Sequence, residues 1–271
     1  MSHLSFTLIQ TNLHWEDKAA NLHMLEQKIK AVPHAKQIVV LPEMFSTGFS
    51  MKPELLAEEM NGPTVAWMKR VAAEHKIVLT GSVIISQAAP SGHTNDDKEY
   101  FNRLIWMLPN GQYAYYDKRH LFAFAGEHEH YTAGTKRLIA SVNGWKINLQ
   151  VCYDLRFPVW ARQQTNDTAE YDVLIYVANW PERRQHAWRT LLQARAIENQ
   201  CYVIGVNRVG EDGNGIYHSG NSMVIDAMGE VLYKKEHEED IHNIVLSKEK
   251  LEEVRHKLPF LKDGDDFHIT P

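Results

Sequence analysis

Gln37-Ile38-Val39-Val40-Leu41-Pro42-Glu43 is a strand-length run of aliphatic and β-branched residues, ended by proline and followed at once by a carboxylate. Upstream, Leu22, Leu25, Ile29 and Val32 recur at helical spacing, and Phe6 to Gln10 before them reads as another strand. Downstream, Asn61-Gly62-Pro63-Thr64 is a turn with Thr64 as the expected N-cap. Val65, Met68 and Ala72 then mark a second helical stripe, and Ile77 to Ile85 a third strand. A β-α-β-α-β order needs crossover connections, so the class is α/β.

Strands dominate the middle of the chain. Tyr100 to Leu108 and Gln112 to Asp117 flank Pro109-Asn110-Gly111, and Leu138 to Val142 and Trp145 to Val151 flank Asn143-Gly144, two hairpin signals of the Asn-Gly kind. Beyond Cys152 the spacing predicts a helix from Pro158, a strand over Asp172 to Val177, and a helix from Gln185 to Gln200. That helix should bury Trp188, Leu191, Leu192, Ala194 and Ile197. Strands at Tyr202 to Asn207, Ser222 to Asp226, Val231 to Tyr233 and Ile241 to Leu246, then a short helix at Lys248 to Arg255, complete the series. Residues 87 to 99 are the most loop-like stretch and suit a surface excursion better than a hinge. The 271 residues read as one domain, with a core over about 4–246 and a tail over 247–271. Its two strand-rich halves should form two sheets packed face to face with helices outside.

Composition narrows the function. Lys+Arg 29 against Asp+Glu 34 gives a net charge of −5, and no stretch concentrates basic residues, so nucleic acid is not an expected partner. The longest apolar runs are strand-length, far short of the roughly 20 residues of a membrane span, and the first residues lack a signal-peptide pattern. A soluble cytoplasmic protein is the expectation. Two cysteines, Cys152 and Cys201, are too few for a disulfide scaffold or a four-cysteine zinc site.

Cys152 follows the alternating strand Ile147 to Val151 and precedes a polar turn into a helix. A side chain at such a junction projects from the carboxyl end of a sheet, where backbone N–H groups can face a developing oxyanion. The competing reading is a buried, inert thiol. Cys201, where a helix passes into an apolar strand, fits the inert reading. A catalytic thiol needs a base or cation nearby. Glu43 stands at the end of one strand and Lys118 just past another, Tyr113 to Asp117. Singly, each reads as a solvated charge; three strands ending in nucleophile, acid and base chemistry point together to a site.

Leu41-Pro42-Glu43-Met44-Phe45-Ser46-Thr47-Gly48-Phe49, Asp117-Lys118-Arg119-His120-Leu121-Phe122 and Val151-Cys152-Tyr153-Asp154-Leu155-Arg156-Phe157-Pro158 resemble, in order, the glutamate, lysine and cysteine motifs of the nitrilase superfamily of carbon–nitrogen hydrolases. The resemblance extends from Phe6 to about Leu246. It implies a four-layer α-β-β-α sandwich of two mixed sheets flanked by helices, and a Glu-Lys-Cys triad at Glu43, Lys118 and Cys152. A second, supporting glutamate of the family matches Glu127. Glu43 would then serve as general base and Cys152 would form a thioester, while Lys118 and the backbone N–H of Tyr153 would stabilise the oxyanion. This chemistry requires no cofactor. Family members commonly assemble as homodimers or larger homo-oligomers.

Within the superfamily the resemblance runs closest to ω-amidases, or 2-oxoglutaramate amidases, on the cysteine motif together with Ala178-Asn179-Trp180-Pro181, Trp188 with Leu191 to Gln200, and Asn207-Arg208-Val209-Gly210. It implies hydrolysis of the terminal amide of 2-oxoglutaramate or 2-oxosuccinamate. The carboxylate of such a substrate calls for arginine. Arg183 and Arg184, just after Trp180, are the first candidates, with Arg156 behind them. Another amidase of the superfamily, acting on N-carbamoyl amino acids or aliphatic amides, or a nitrilase, stays open. So do a binding protein that has lost its chemistry and a metal-dependent hydrolase built on Glu127-His128-Glu129-His130, although that run lacks the spacing of a paired-histidine motif.

Overall fold

The computed structural model describes residues 2–32, 37–89, 98–163 and 169–269. Its strands in chain order are β1 (His3–Gln10), β2 (Ile38–Val40), β3 (Val78–Ala88), β4 (Lys98–Met107), β5 (Tyr113–Asp117), β6 (Leu138–Val142) and β7 (Trp145–Val151). There follow β8 (Val173–Ala178), β9 (Tyr202–Asn207), β10 (Val209–Glu211), β11 (Tyr217–Ile225), β12 (Val231–Glu236) and β13 (Asp240–Ser247). The longer helices are α1 (Lys18–Ala31), α2 (Pro63–His75), α3 (Gln185–Asn199) and α4 (Lys248–Lys257). No helix among the described residues is long and apolar enough to cross a membrane.

Two mixed sheets result. The first runs β13-β1-β2-β3-β4-β5, and the second β10-β11-β9-β8-β7-β6 with β12 paired to β11. β1, β2 and β3 are parallel, as are β7, β8 and β9. The twofold side-chain period of a strand then builds the layers. Ile38 and Val40 face Val173, Ile175 and Val177 in the core between the sheets. Their neighbours Val39 and Leu41 lie instead under α1 and α2, against Leu25, Ile29, Met68 and Val71. Leu174, Tyr176 and Ala178 lie under α3, against Trp188, Leu192 and Ala196. Fully burying each such aliphatic side chain contributes about 1.5–3 kcal/mol. The expected α-β-β-α layering is therefore present.

Local readings shift in several places, among them the starts of β1 and β11, at His3 and Tyr217, and the end of β12, at Glu236. Gly62, not Thr64, caps α2, because Pro63 occupies the first helical position. Thr64 N and Oγ1 instead donate to the Glu58 carboxylate at 2.7 and 2.6 Å. On α3, Ile197 is 54% exposed and Leu191 and Ala194 are only partly buried, whereas Arg195 and Asn199 are buried. The buried stripe runs 188, 192, 195, 196, 199, so position 197 falls outside its phase. The pairs Gln87 with Glu99 and Ala88 with Lys98 extend β3 and β4 into the expected loop, whose residues 90–97 lie outside the described residues. β10, too short to show a period, had no sequence signal. Asn143 and Gly144 both have positive φ, 50° and 80°, as the expected hairpin turn requires.

Candidate active site

Glu43 follows β2 in a turn held by β3. Leu41 N donates to Thr80 O at 2.8 Å, Met44 N to Ser82 Oγ at 2.8 Å, and Phe45 N to Ser82 O at 3.1 Å. Lys118 follows β5; its N–H donates to Asn102 O at 3.0 Å and its carbonyl accepts from Gly134 N at 2.9 Å. Position 134 must be glycine, since a Cβ there would overlap the Asp117 carbonyl. Glu127 opens the short helical turn Glu127–His130 and points inward, while His128 and Glu129 are exposed. The acidic-histidine run thus does not converge, and no group of three or more His, Cys, Asp or Glu side chains among the described residues is placed to hold a metal.

Cys152 follows β7 at φ +43°. Holding a non-glycine residue there costs about 1–3 kcal/mol, and the surrounding bonds must enforce it. Asp154, fully buried, accepts from Val151 N at 3.0 Å, from Tyr116 OH at 2.7 Å and from His120 N at 2.9 Å. One carboxylate therefore ties the cysteine turn to the loop just after Lys118. Tyr153 N–H lies in the first turn of the 3₁₀ segment Cys152–Arg156, where backbone donors lack intrahelical acceptors.

These elements bring Glu43, Lys118, Glu127 and Cys152 together at the strand ends between the two sheets. Lys118 Nζ donates to Glu43 Oε1 at 3.0 Å and to both Glu127 oxygens at 2.9 Å. Asn102 Nδ2 donates to Glu43 Oε1 at 2.8 Å, Asn179 N to Glu43 Oε2 at 2.8 Å, and Phe122 N to Glu127 Oε2 at 2.5 Å. Burial alone would lower the Lys118 pKa, but Glu127 and Glu43 outweigh it and hold the ammonium charged. Burial, then the Glu43 charge, pushes the Cys152 thiol well above its ordinary range, against the pull of Lys118, and the thiol hydrogen-bonds Glu43. The resting sulfur is therefore a protonated thiol beside a carboxylate acceptor. Cys201 is fully buried, its thiol raised chiefly by burial, and it packs under α3.

The thiol opens into a cavity of about 380 Å³ that Lys118, Asn179, Trp180, Arg156, Arg183 and Arg184 help to line. Arg156 stacks over Trp180 at 4.9 Å and Arg184 over Phe122 at 5.1 Å. None of the three arginines forms a salt bridge with the described residues. Burial, then the neighbouring Arg183 charge, lowers the Arg184 pKa, with Arg156 adding to the effect. Asp212 also lines the cavity, but its Oδ1 is committed to Asn214 N and Ile216 N at 2.8 and 3.0 Å. The arrangement offers a thiol with an adjacent base, a fixed cation for a developing oxyanion, and a cationic region for an anionic substrate group.

Sequence pattern does not single out Asn102, Asn179 or Asp154 as site residues. Asn102 carries one signal, a carboxamide inside the apolar strand Phe101 to Trp106. Asp154 and Asn179 each stand beside a strand end without chemistry of their own to mark them.

The chain is similar to known carbon–nitrogen hydrolases. A family model described as carbon-nitrogen hydrolase matches residues 6–255. The chain is 42% identical to the ω-amidase YafV of Yersinia enterocolitica, over 98% of this chain and 99% of that one. It is 30% identical to the 2-oxoglutaramate amidase of Bacillus subtilis (strain 168), over 96% of each. The crystal structure of XC1258 from Xanthomonas campestris, a CN-hydrolase superfamily protein with an arsenic adduct in the active site, superposes with a TM-score of 0.93 at 41% identity, covering 100% of both chains.

Proposed function

The chain belongs to the carbon–nitrogen hydrolase family, and on that premise we propose that it is an ω-amidase, releasing ammonia from the terminal amide of 2-oxoglutaramate or 2-oxosuccinamate. The observation that carries this reading is the cavity in which three arginines without carboxylate partners accompany the Cys152 thiol. A 2-oxo dicarboxylate monoamide presents a carboxylate to such a cationic region and its far amide to the sulfur.

Each residue then has a role. Glu43 takes the thiol proton as Cys152 attacks the amide carbon, and Lys118 with Tyr153 N–H stabilises the tetrahedral oxyanion. Ammonia leaves, a thioester remains on Cys152, and Glu43 then activates the water that hydrolyses it. Glu127 acts through Lys118, holding the ammonium in place. Arg183 and Arg184, with Arg156, bind the substrate carboxylate, and Trp180 packs beside them. The reaction calls for no group beyond water and these side chains. We place it in a single carbon–nitrogen hydrolase domain of a cytoplasmic homo-oligomer.

The test is ammonia release from 2-oxoglutaramate and 2-oxosuccinamate beside glutamine, asparagine, an N-carbamoyl amino acid and a simple nitrile. The keto-acid amides should be turned over fastest. Equal or greater turnover of the carbamoyl compound or the nitrile rejects the ω-amidase reading.

A further inference from the structure

Asn179 is the cavity-lining residue whose bonding is incomplete. It follows β8 and is 6% exposed, and its backbone N–H donates to Glu43 Oε2 at 2.8 Å. Its Nδ2 donates to the Glu43 carbonyl at 2.6 Å. A carbonyl oxygen only accepts, so this bond fixes which end of the side-chain amide is nitrogen. Oδ1 is left buried with no donor. Among the described residues lining the cavity, no other has a buried side-chain polar atom without a partner. Unpartnered buried acceptors are costly, and one on a residue that lines the cavity with Cys152 and bonds Glu43 twice points to a donor that arrives with the substrate.

We infer that Asn179 Oδ1 accepts one N–H of the scissile carboxamide, so that the enzyme reads its leaving group. The inference rests on the thiol-amidase reading above and adds to it the side chain that recognises the amide nitrogen. In the acylation step the Cys152 sulfur forms a bond to the amide carbon while its proton passes to Glu43. The C–N bond breaks as the nitrogen takes that proton and departs as ammonia. Asn179 bonds Glu43 through its backbone N–H and its Nδ2, so an N–H held by Oδ1 keeps the departing nitrogen beside the carboxyl that must protonate it. A carboxamide has the required donor. An ester oxygen and a nitrile nitrogen do not.

The test compares kcat/KM for 2-oxoglutaramate with that for the 5-methyl ester of 2-oxoglutarate, two substrates that form the same acyl-enzyme. In Asn179→Ala the amide-to-ester ratio should fall at least about tenfold, the worth of one hydrogen bond at a reacting group. Asn179→Ser, a smaller change in polarity, should show the same direction, and iodoacetamide labelling of Cys152 reports that each variant keeps its site. A purely structural role, acting through the Nδ2 bond to the Glu43 carbonyl, would lower the ratio as much in Asn179→Asp, which keeps the acceptor but loses that donor, as in Asn179→Ala. Equal losses, or an unchanged ratio, overturn the inference. Should 2-oxoglutaramate prove inert while another carboxamide is hydrolysed, the substrate reading falls, and that carboxamide with its methyl ester decides on Asn179. Turnover of esters with no carboxamide overturns both.

Discussion

Lys118 Nζ lies 2.9 Å from both carboxylate oxygens of Glu127, in an enclosure where neither side chain reaches solvent. In the proposed mechanism Glu127 is the clamp on the ammonium, and Glu43, 3.0 Å from the same nitrogen, is the carboxylate beside the thiol. Glu127→Gln keeps the shape and removes the charge. We expect kcat to fall by about 10²- to 10³-fold, as for a displaced oxyanion donor. Urea unfolding should also show a loss of up to about 3–5 kcal/mol, toward the lower end because Glu43 still faces the lysine. Wild-type kcat in this variant contradicts the clamp.

Burial and the Glu43 charge both hold the Cys152 thiol up. Alkylation of Cys152 by iodoacetamide should therefore rise with pH through a midpoint above that of a free thiol, about 8.5. Glu43→Gln removes a negative neighbour, so the midpoint should move down. The same variant lacks the base and should lose turnover. A readier thiolate in a dead enzyme is the expected signature, measured by mass spectrometry across pH; an unmoved or raised midpoint denies the coupling. Cys201 should label more slowly throughout.

His218, on β11 and lining the cavity, is held down to about 4 by burial and then by the Arg208 charge. Its folded pKa lies below its ordinary value of 6.5, so the unfolded chain binds the extra proton between those values. Stability from this group is present above pH 6.5 and is lost as pH falls toward 4. His218→Gln should lose on the order of 3 kcal/mol less than wild type across that window. Urea midpoints at pH 7, 6 and 5 read the difference, and parallel curves for the two proteins sink it.

The arginines should separate substrates by charge. Arg184→Ala is expected to lower kcat/KM for carboxylate-bearing amides by about 10- to 100-fold, mainly through KM, and to leave a neutral aliphatic amide nearly unchanged. Arg184→Lys should recover only part, since an ammonium cannot reproduce a bidentate contact. Arg183→Ala and Arg156→Ala rank the other two contributions. Equal effects on charged and neutral amides would remove the carboxylate role.

The sequence showed most where chemistry sits next to a regular element. Glu43, Lys118 and Cys152 each follow a strand of clear pattern, so their convergence at strand ends could be anticipated. Asn102 could not be placed in the same way, because its bond to Glu43 joins β4 to the turn after β2 across 59 positions. Asp154 lies within the cysteine motif, yet its grip on Tyr116 and His120 depends on how two sheets meet. Ile197 looked like core by hydrophobicity; the phase of α3, set by packing against β9 and β11, turned it outward. Local pattern locates strands and turns, while cross-sheet partners depend on docking that no window of sequence contains.

β1 pairs along its whole length with β13, from His3 opposite Ser247 to Gln10 opposite Asp240, and Thr7 Oγ1 donates to Asn243 Oδ1 at 2.5 Å across 236 positions. The edge of the sheet that carries Glu43 and Lys118 is therefore completed by the last strand among the described residues, made long after β1. A nascent chain exposes Cys152 well before it can zip β1 to its partner, and closing so long a loop is slow. Hydrolytic competence should thus await synthesis of β13 and then appear all at once.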